Sequence, residues 1–261
     1  AMTILSHLGP MTRTVEDAVL MLQTVARPDA RDGLIGAPRN TPWLHHSDDL
    51  KGLRIAYSPN FGYVDVDPQV ALVVARAVER LAELGAHVEL VDPGFSDPLE
   101  TFNTLWFAGA ARLASQLSSA QRELMDPGLQ RIAGLGERIT LEQYSSALEA
   151  RAALVAHMNA FHERYDILVS PMLPITAFTA GHNVPPESSM TDWMQWTPFT
   201  YPFNLTQQPA ASVPCGLAEN GLPVGLHVVG ARFADDHVLR VCRAYEKHFA
   251  QSHPQAPITP V

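Results

Sequence analysis

The sequence predicts an α/β protein with a mixed sheet flanked by helices, and three observations predict it. Two short apolar runs, residues 53–58 and 87–91, bracket an amphipathic stretch at 68–84, which is the pattern of a βαβ unit. Longer Leu-, Ala- and Phe-rich segments at 97–116 and 140–163 have helical length. Two β-rich runs near 211–214 and 226–229 then lie either side of a Gly-containing turn, before a closing helical segment.

Taken in order, Thr14 with Asp17 three residues on forms a capping pair, and Val15, Ala18, Val19 and Leu22 give the following helix an apolar face. Residues 28–49 carry Pro28, Gly33, Gly36, Pro38 and Pro42 with little periodic hydrophobicity, so they read as an irregular linker. In the βαβ unit, Asp67 and Pro68 suit the N-cap and first helical position, and Gly85 supplies the stop. A parallel strand pair with a right-handed crossover is expected. The two long helices are expected to cover sheet faces or build a lid, joined by a stretch that Gly128, Gly134 and Gly136 interrupt. A strand at 167–170 leads into a Pro-rich loop from Pro171 to about Pro198, and Pro202–Gln207 reads as a helical turn. The last helix spans about 235–249, and the Pro-rich residues 251–261 read as a frayed tail.

Composition narrows the function classes. With 261 residues, 46% hydrophobic and 17% charged, the chain can bury one substantial core. A net charge of −9 argues against nucleic-acid or anionic-membrane partners, which need clustered cations. No apolar run approaches the roughly 20 residues that cross a bilayer, and no secretory leader is visible. Cys215 and Cys242 offer neither a disulfide framework nor metal-ligand spacing, so a reducing, cytoplasmic compartment is expected, with no metal or other cofactor.

Several constellations read as structural. His45-His46 before Asp48-Asp49 is read as a solvated loop rather than a metal site. Asp65-Val66-Asp67 lacks the later Gly and Glu of a calcium loop. His157 and His162, five apart, miss a shared helix face and read as surface residues. Gly134-Leu135-Gly136 neither follows a strand nor ends in Gly-Lys-Ser/Thr, which excludes a phosphate loop. A lone Cys215 at a strand end has no local base to make it a nucleophile.

The segment Phe199-Thr200-Tyr201-Pro202-Phe203-Asn204-Leu205-Thr206-Gln207-Gln208-Pro209, followed by Ala210–Gly216 and Gly221-Leu222-Pro223-Val224-Gly225-Leu226-His227-Val228-Val229-Gly230, resembles the closing helix, strand, turn and strand of amidase-signature hydrolases. Gly9–Ala18, Leu50–Tyr57 and Tyr165–Pro171 resemble earlier segments of that family, so the resemblance runs from about residue 5 to 250. It implies cleavage of carboxylic amides through an acyl-enzyme formed by a Ser, a second Ser before a cis peptide, and a Lys. The family's Gly-Ser-Ser-Gly-Gly-like run is absent, the pairs Ser118-Ser119, Ser145-Ser146 and Ser188-Ser189 lack flanking glycines, and only Lys51 and Lys247 are present. No catalytic residue is therefore assigned. The resemblance implies one C-terminal portion of an amidase domain over residues 1–261, missing the N-terminal portion of the family fold and inactive alone.

The resemblance also directs attention to substrate-binding candidates. Trp106 and Phe107 lie where the family places a pocket-lining helix, Met172 in a strand exit loop, and Trp196, Thr197 and Thr200 at the entry to the Phe199–Asn204 motif; each serves either the pocket or the packing. Arg131 aligns approximately with an Arg that binds substrate carboxylate in the glutamine-using amidotransferase A-type subunits. Those subunits carry an acidic residue where Thr197 stands, so the chain resembles more a general amidase for uncharged amides. Gln207, where many relatives have Gly, either narrows the pocket or marks a subfamily. Expected partners are a small-molecule amide and either a second copy or an N-terminal half. The alternatives are a fragment of a glutamine-hydrolysing A-type subunit, or a non-enzymatic α/β ligand-binding or interaction module. A seam left by a missing half, with apolar surface and an unpaired strand edge, separates fragment from module.

Overall fold

A computed structural model describes residues 4–27, 29, 31, 43 and 49–249. The histidine pair 45–46, most of the 28–49 linker and the 251–261 tail lie outside the described residues.

Helix α1 (Val15–Val25) starts where Thr14 accepts a hydrogen bond from the Asp17 amide. Strand β1 (Arg54–Tyr57) leads to α2 (Pro68–Glu83), capped by Asp67 and ended beside Gly85 at φ +97°, a left-handed conformation that suits glycine. Strand β2 (His87–Leu90) then pairs parallel with β1, as the βαβ pattern predicts. On its other side β1 pairs parallel with β3 (Ile167–Pro171). Strands β4 (Ala210–Leu217) and β5 (Pro223–Gly230) form an antiparallel hairpin, and β5 joins β3 antiparallel. The resulting five-stranded mixed sheet has the order β2-β1-β3-β5-β4.

The two-residue period of the strands divides the core. Ile55, Ile167, Val169, Leu226 and Val228 point to one face, where Val70, Val74 and Leu81 of α2 meet Val238, Val241 and Tyr245 of α8 (Asp235–Phe249). Their neighbours Ala56, Leu168 and Val229 point to the other face. There they meet Phe102 and Leu105 of α3 (Leu99–Ala114), Leu154 and Met158 of α6 (Leu141–Arg164), and Phe203 and Leu205 of α7 (Tyr201–Thr206). Thus α3 and α6 clad a sheet face.

Three readings of the sequence need correction. The glycine-interrupted stretch is helical: α4 (Ser119–Glu123) is followed by α5 (Pro127–Gly136), which Asp126 caps. Gly136 is there for proximity, since a Cβ at that position would lie 1.9 Å from the Phe107 carbonyl oxygen, so only glycine lets α5 lie against α3. The Pro-rich loop contains a 3₁₀ helix, Trp193–Trp196, set by a capping box between Asp192 and Gln195. Finally, His162 is buried, its Nδ1 bonded to the Tyr165 carbonyl at 2.9 Å, because it sits on the inward stripe of α6 with Leu154 and Met158. His157 is exposed, as expected.

Candidate functional site

Several serines among the described residues serve structural roles. Ser58 donates to Asp92 at 2.5 Å and accepts from the Phe61 amide, pinning the loop beyond β1. Ser118 is a helix cap and Ser188 donates to the Pro185 carbonyl. Cys215 and Cys242 are buried free thiols, both pushed up to about 12 chiefly by burial. A thiol held so far from its thiolate is no nucleophile at neutral pH. No group of His, Cys, Asp and Glu among the described residues has metal-site geometry.

Most of the predicted substrate-binding residues gather around the helices α3 and α5 and the 3₁₀ helix. Trp106 stacks on Phe102 with centroids 5.9 Å apart and packs, as Trp193 does, against the small cluster of Ala110, Ala114, Ile132 and Ala133. Phe107 lines a surface cavity of about 490 Å³ with Asp97, Glu100, Asn103, Thr104 and Ile139. Arg131 projects from α5 to Asp192 at the cap of the 3₁₀ helix, Nη2 to Oδ2 at 2.5 Å. Trp196 donates from Nε1 to the Asn183 carbonyl and sets its ring edge against Phe178. The Thr197 hydroxyl donates to the Met194 carbonyl and that of Thr200 to the Thr197 carbonyl, so both fasten the turn leading into α7. Met172 is placed elsewhere, its amide bonded to the Gly225 carbonyl on β5. Gln207 ends α7 at φ +59°, a left-handed conformation that glycine adopts at least cost.

Three buried polar atoms of this corner have no hydrogen-bond partner among the described residues: Asn103 Oδ1, Trp106 Nε1 and Trp193 Nε1. Buried polar groups are normally paired, so an unpaired set of one acceptor and two donors is chemically informative. Beside it, Asp97 accepts from the Leu99 amide and the Tyr201 hydroxyl, and burial with Asp97 next to it holds the Tyr201 phenol well above its ordinary range. Asn103 and Asp192 were not singled out by sequence. Asp192 had a legible signal, the Asp-x-x-Gln spacing to Gln195.

No helix among the described residues is long and apolar enough to cross a membrane. The amidase family model matches residues 1–239. An acylamidase of Rhodococcus erythropolis is 35% identical over 248 residues, covering 91% of this chain and 51% of that protein. The A-type subunit of a glutamyl-tRNA(Gln) amidotransferase of Brevibacillus brevis is 31% identical over 275 residues, covering 93% and 54%. Among solved structures, a bacterial aryl acylamidase superposes with a TM-score of 0.78 at 26% identity, covering 94% of this chain and 54% of that one. The A-type subunit of the Thermotoga maritima glutamyl-tRNA(Gln) amidotransferase gives 0.73 at 28% identity, covering 94% and 53%. The chain spans about half the length of the curated relatives it matches. Sequence, sheet topology and relatives agree that the chain belongs to the amidase family, the amidase-signature hydrolases.

Proposed function

We propose that these residues are the C-terminal portion of a hydrolase of uncharged carboxylic amides, supplying a wall of the substrate cleft and the scaffold behind it. The nucleophilic Ser, the second Ser and the Lys of the acyl-enzyme mechanism then lie in a preceding stretch of polypeptide, and the chain by itself has no turnover. The observation that carries the cleft is the unpaired set on α3 and the 3₁₀ helix. A carboxamide has one acceptor and two donor hydrogens; its oxygen suits an indole N–H such as that of Trp106, and its N–H suits Asn103 Oδ1. The surrounding aromatic surface suits an aryl or alkyl group.

Uncharged amides are favoured over glutamine because Asp192 already neutralises Arg131, and Thr197 offers no charge to an α-ammonium group. The relatives point in both directions, one being an acylamidase and another the A-type component of an amidotransferase. That the chain spans about half the length of its curated relatives supports a fragment over a self-contained module.

The test has two arms. The 261-residue chain is assayed with 4-nitroacetanilide and with glutamine, and no hydrolysis above background is expected. The reading frame extended ahead of Ala1 is then assayed, and hydrolysis of the anilide in preference to glutamine is expected. Turnover by the short chain that disappears on changing a single Ser or Cys within it overturns the proposal.

A further inference from the structure

Given the C-terminal-portion reading above, on which this rests, we propose that His227 donates a hydrogen bond to the preceding polypeptide. The sheet face beside it, carrying Ala210, Ser212, Pro214 and Gly225, is then the surface on which that polypeptide docks. The strand register places the residues together. His227 on β5 lies directly opposite Ser170 of β3 and directly opposite Ser212 of β4, and paired residues of antiparallel strands share a face. Leu168 and Val229 point to the same face.

That face is clad unevenly. Phe203 of α7 sets its ring against His227 with centroids 5.4 Å apart, and His227 is only 2% exposed. One strand further out, Ala210, Ser212 and Pro214 are all exposed, whereas Val213 and Cys215 on the opposite face are buried with residues of α2 and α8. Gly225 keeps this floor flat, since a Cβ there would lie 2.7 Å from Ser212 Oγ and 3.0 Å from Met172 Cβ. Small uncharged residues let a polypeptide segment approach the sheet closely.

The feature that calls for a partner is His227 itself, which makes no hydrogen bond among the described residues. Ser170 does not serve it, because its hydroxyl donates to the Pro171 carbonyl at 3.0 Å. Other histidines are matched: the buried His162 bonds the Tyr165 carbonyl, and His7, His87, His157 and His248 each bond a carbonyl or carboxylate oxygen. Burial alone depresses His227, to about 4, so at neutral pH the ring is uncharged and carries one N–H. Only Nδ1 is both enclosed and unpaired, and an enclosed N–H without an acceptor is the costlier orphan. The proton is therefore assigned to Nε2, which suits an oxygen arriving from outside. A buried imidazole left without a partner is an exception to the pairing of buried polar groups. The occupant follows from length, since the chain spans about half of the curated relatives it matches.

Urea unfolding at about pH 7.5 is compared for wild type, H227L and H227Q, in the 261-residue chain and in the reading frame extended ahead of Ala1. In the short chain H227L replaces an unsatisfied polar group with an apolar one of similar size, and a midpoint equal to wild type or higher is expected. In the extended protein the same change orphans the oxygen that His227 serves, so the midpoint is expected to fall by about 0.5 M, with H227Q, which keeps a donor, recovering most of the loss. Spectra of ¹⁵N-labelled histidine give a second readout: the His227 ring N–H exchanges freely in the short chain and is protected in the extended protein. Neither measurement reads hydrolysis, so an extended protein that shows this contrast but cleaves no amide counts against the amide-hydrolase reading alone. A lower midpoint for H227L in the short chain, the same change in both proteins, or an unprotected ring N–H in the extended protein overturns the proposal. Protection that appears in the short chain as its concentration rises, with a dimer on sedimentation, assigns the face to a second copy and likewise overturns it.

Discussion

Asp192 holds Arg131 across the gap between the 3₁₀ helix and α5, at 2.5 Å, while also accepting the Met194 amide at 3.3 Å as a helix cap. One carboxylate thus fixes the entry of the 3₁₀ helix and neutralises a cation beside the aromatic corner. Asp192→Ala removes the cap and the pair together and is expected to lower stability by about 1–2 kcal/mol, most of it from the cap because Arg131 is half exposed. Arg131→Gln, which keeps the cap, should cost under about 1 kcal/mol. Urea unfolding of both variants checks the ordering, and an equal cost for the two contradicts it.

Gly136→Ala is expected to be among the most damaging single methyl additions in the chain. The new Cβ meets the Phe107 carbonyl oxygen at 1.9 Å and its carbon at 2.4 Å, and both are backbone, so a helix must move. A loss of about 3 kcal/mol, the upper end of the overpacking range, is expected. Gly134→Ala, two residues earlier and with nothing within 4 Å of its Cβ, should instead gain about 0.5–1 kcal/mol from helix propensity. Thermal melts of the two variants should shift in opposite directions.

Burial depresses His227 to about 4, and its Nδ1 has no partner among the described residues. The folded chain therefore binds fewer protons at this site than the unfolded chain, whose imidazole titrates near 6.5. Its contribution is fully present above about pH 6.5 and is lost as pH falls toward 4, by about 3 kcal/mol in all. Comparing urea midpoints of wild type and His227→Leu from pH 7 to pH 4 isolates this share. A slope identical in the two proteins would show that His227 does not cause it.

Both thiols should resist alkylation and disulfide-exchange reagents in the native chain at pH 8, because burial keeps each protonated and shielded. In denaturant two equivalents should react at once. A fast native equivalent mapped to Cys215 would contradict the burial described for it.

The sheet and its helical cladding were legible because their signals are local. Asp67-Pro68 and Gly85 mark the ends of α2, and alternate residues such as Ile55 and Ala56 choose opposite faces. The stretch around Gly134 and Gly136 was misjudged because glycine is costly in a helix taken alone, whereas here the contact with α3 requires it. His162 was misplaced because spacing to His157 says nothing about which α6 face meets the sheet. At the candidate corner the aromatic residues stood out by composition. Asn103 and Asp192 did not, since their significance lies in an unmet hydrogen bond and in an ion pair across 61 residues of sequence.

Strand β4 ends the sheet, and Pro214 stands within it opposite Gly225, with a register shift immediately after. Proline has no amide hydrogen to offer, so an incoming strand finds a continuous ladder only along residues 210–213. The same residue that interrupts the ladder protects the chain during synthesis: two nascent copies meeting at this rim can zip together for only a few residues before the pairing fails, which disfavours runaway stacking into fibrils.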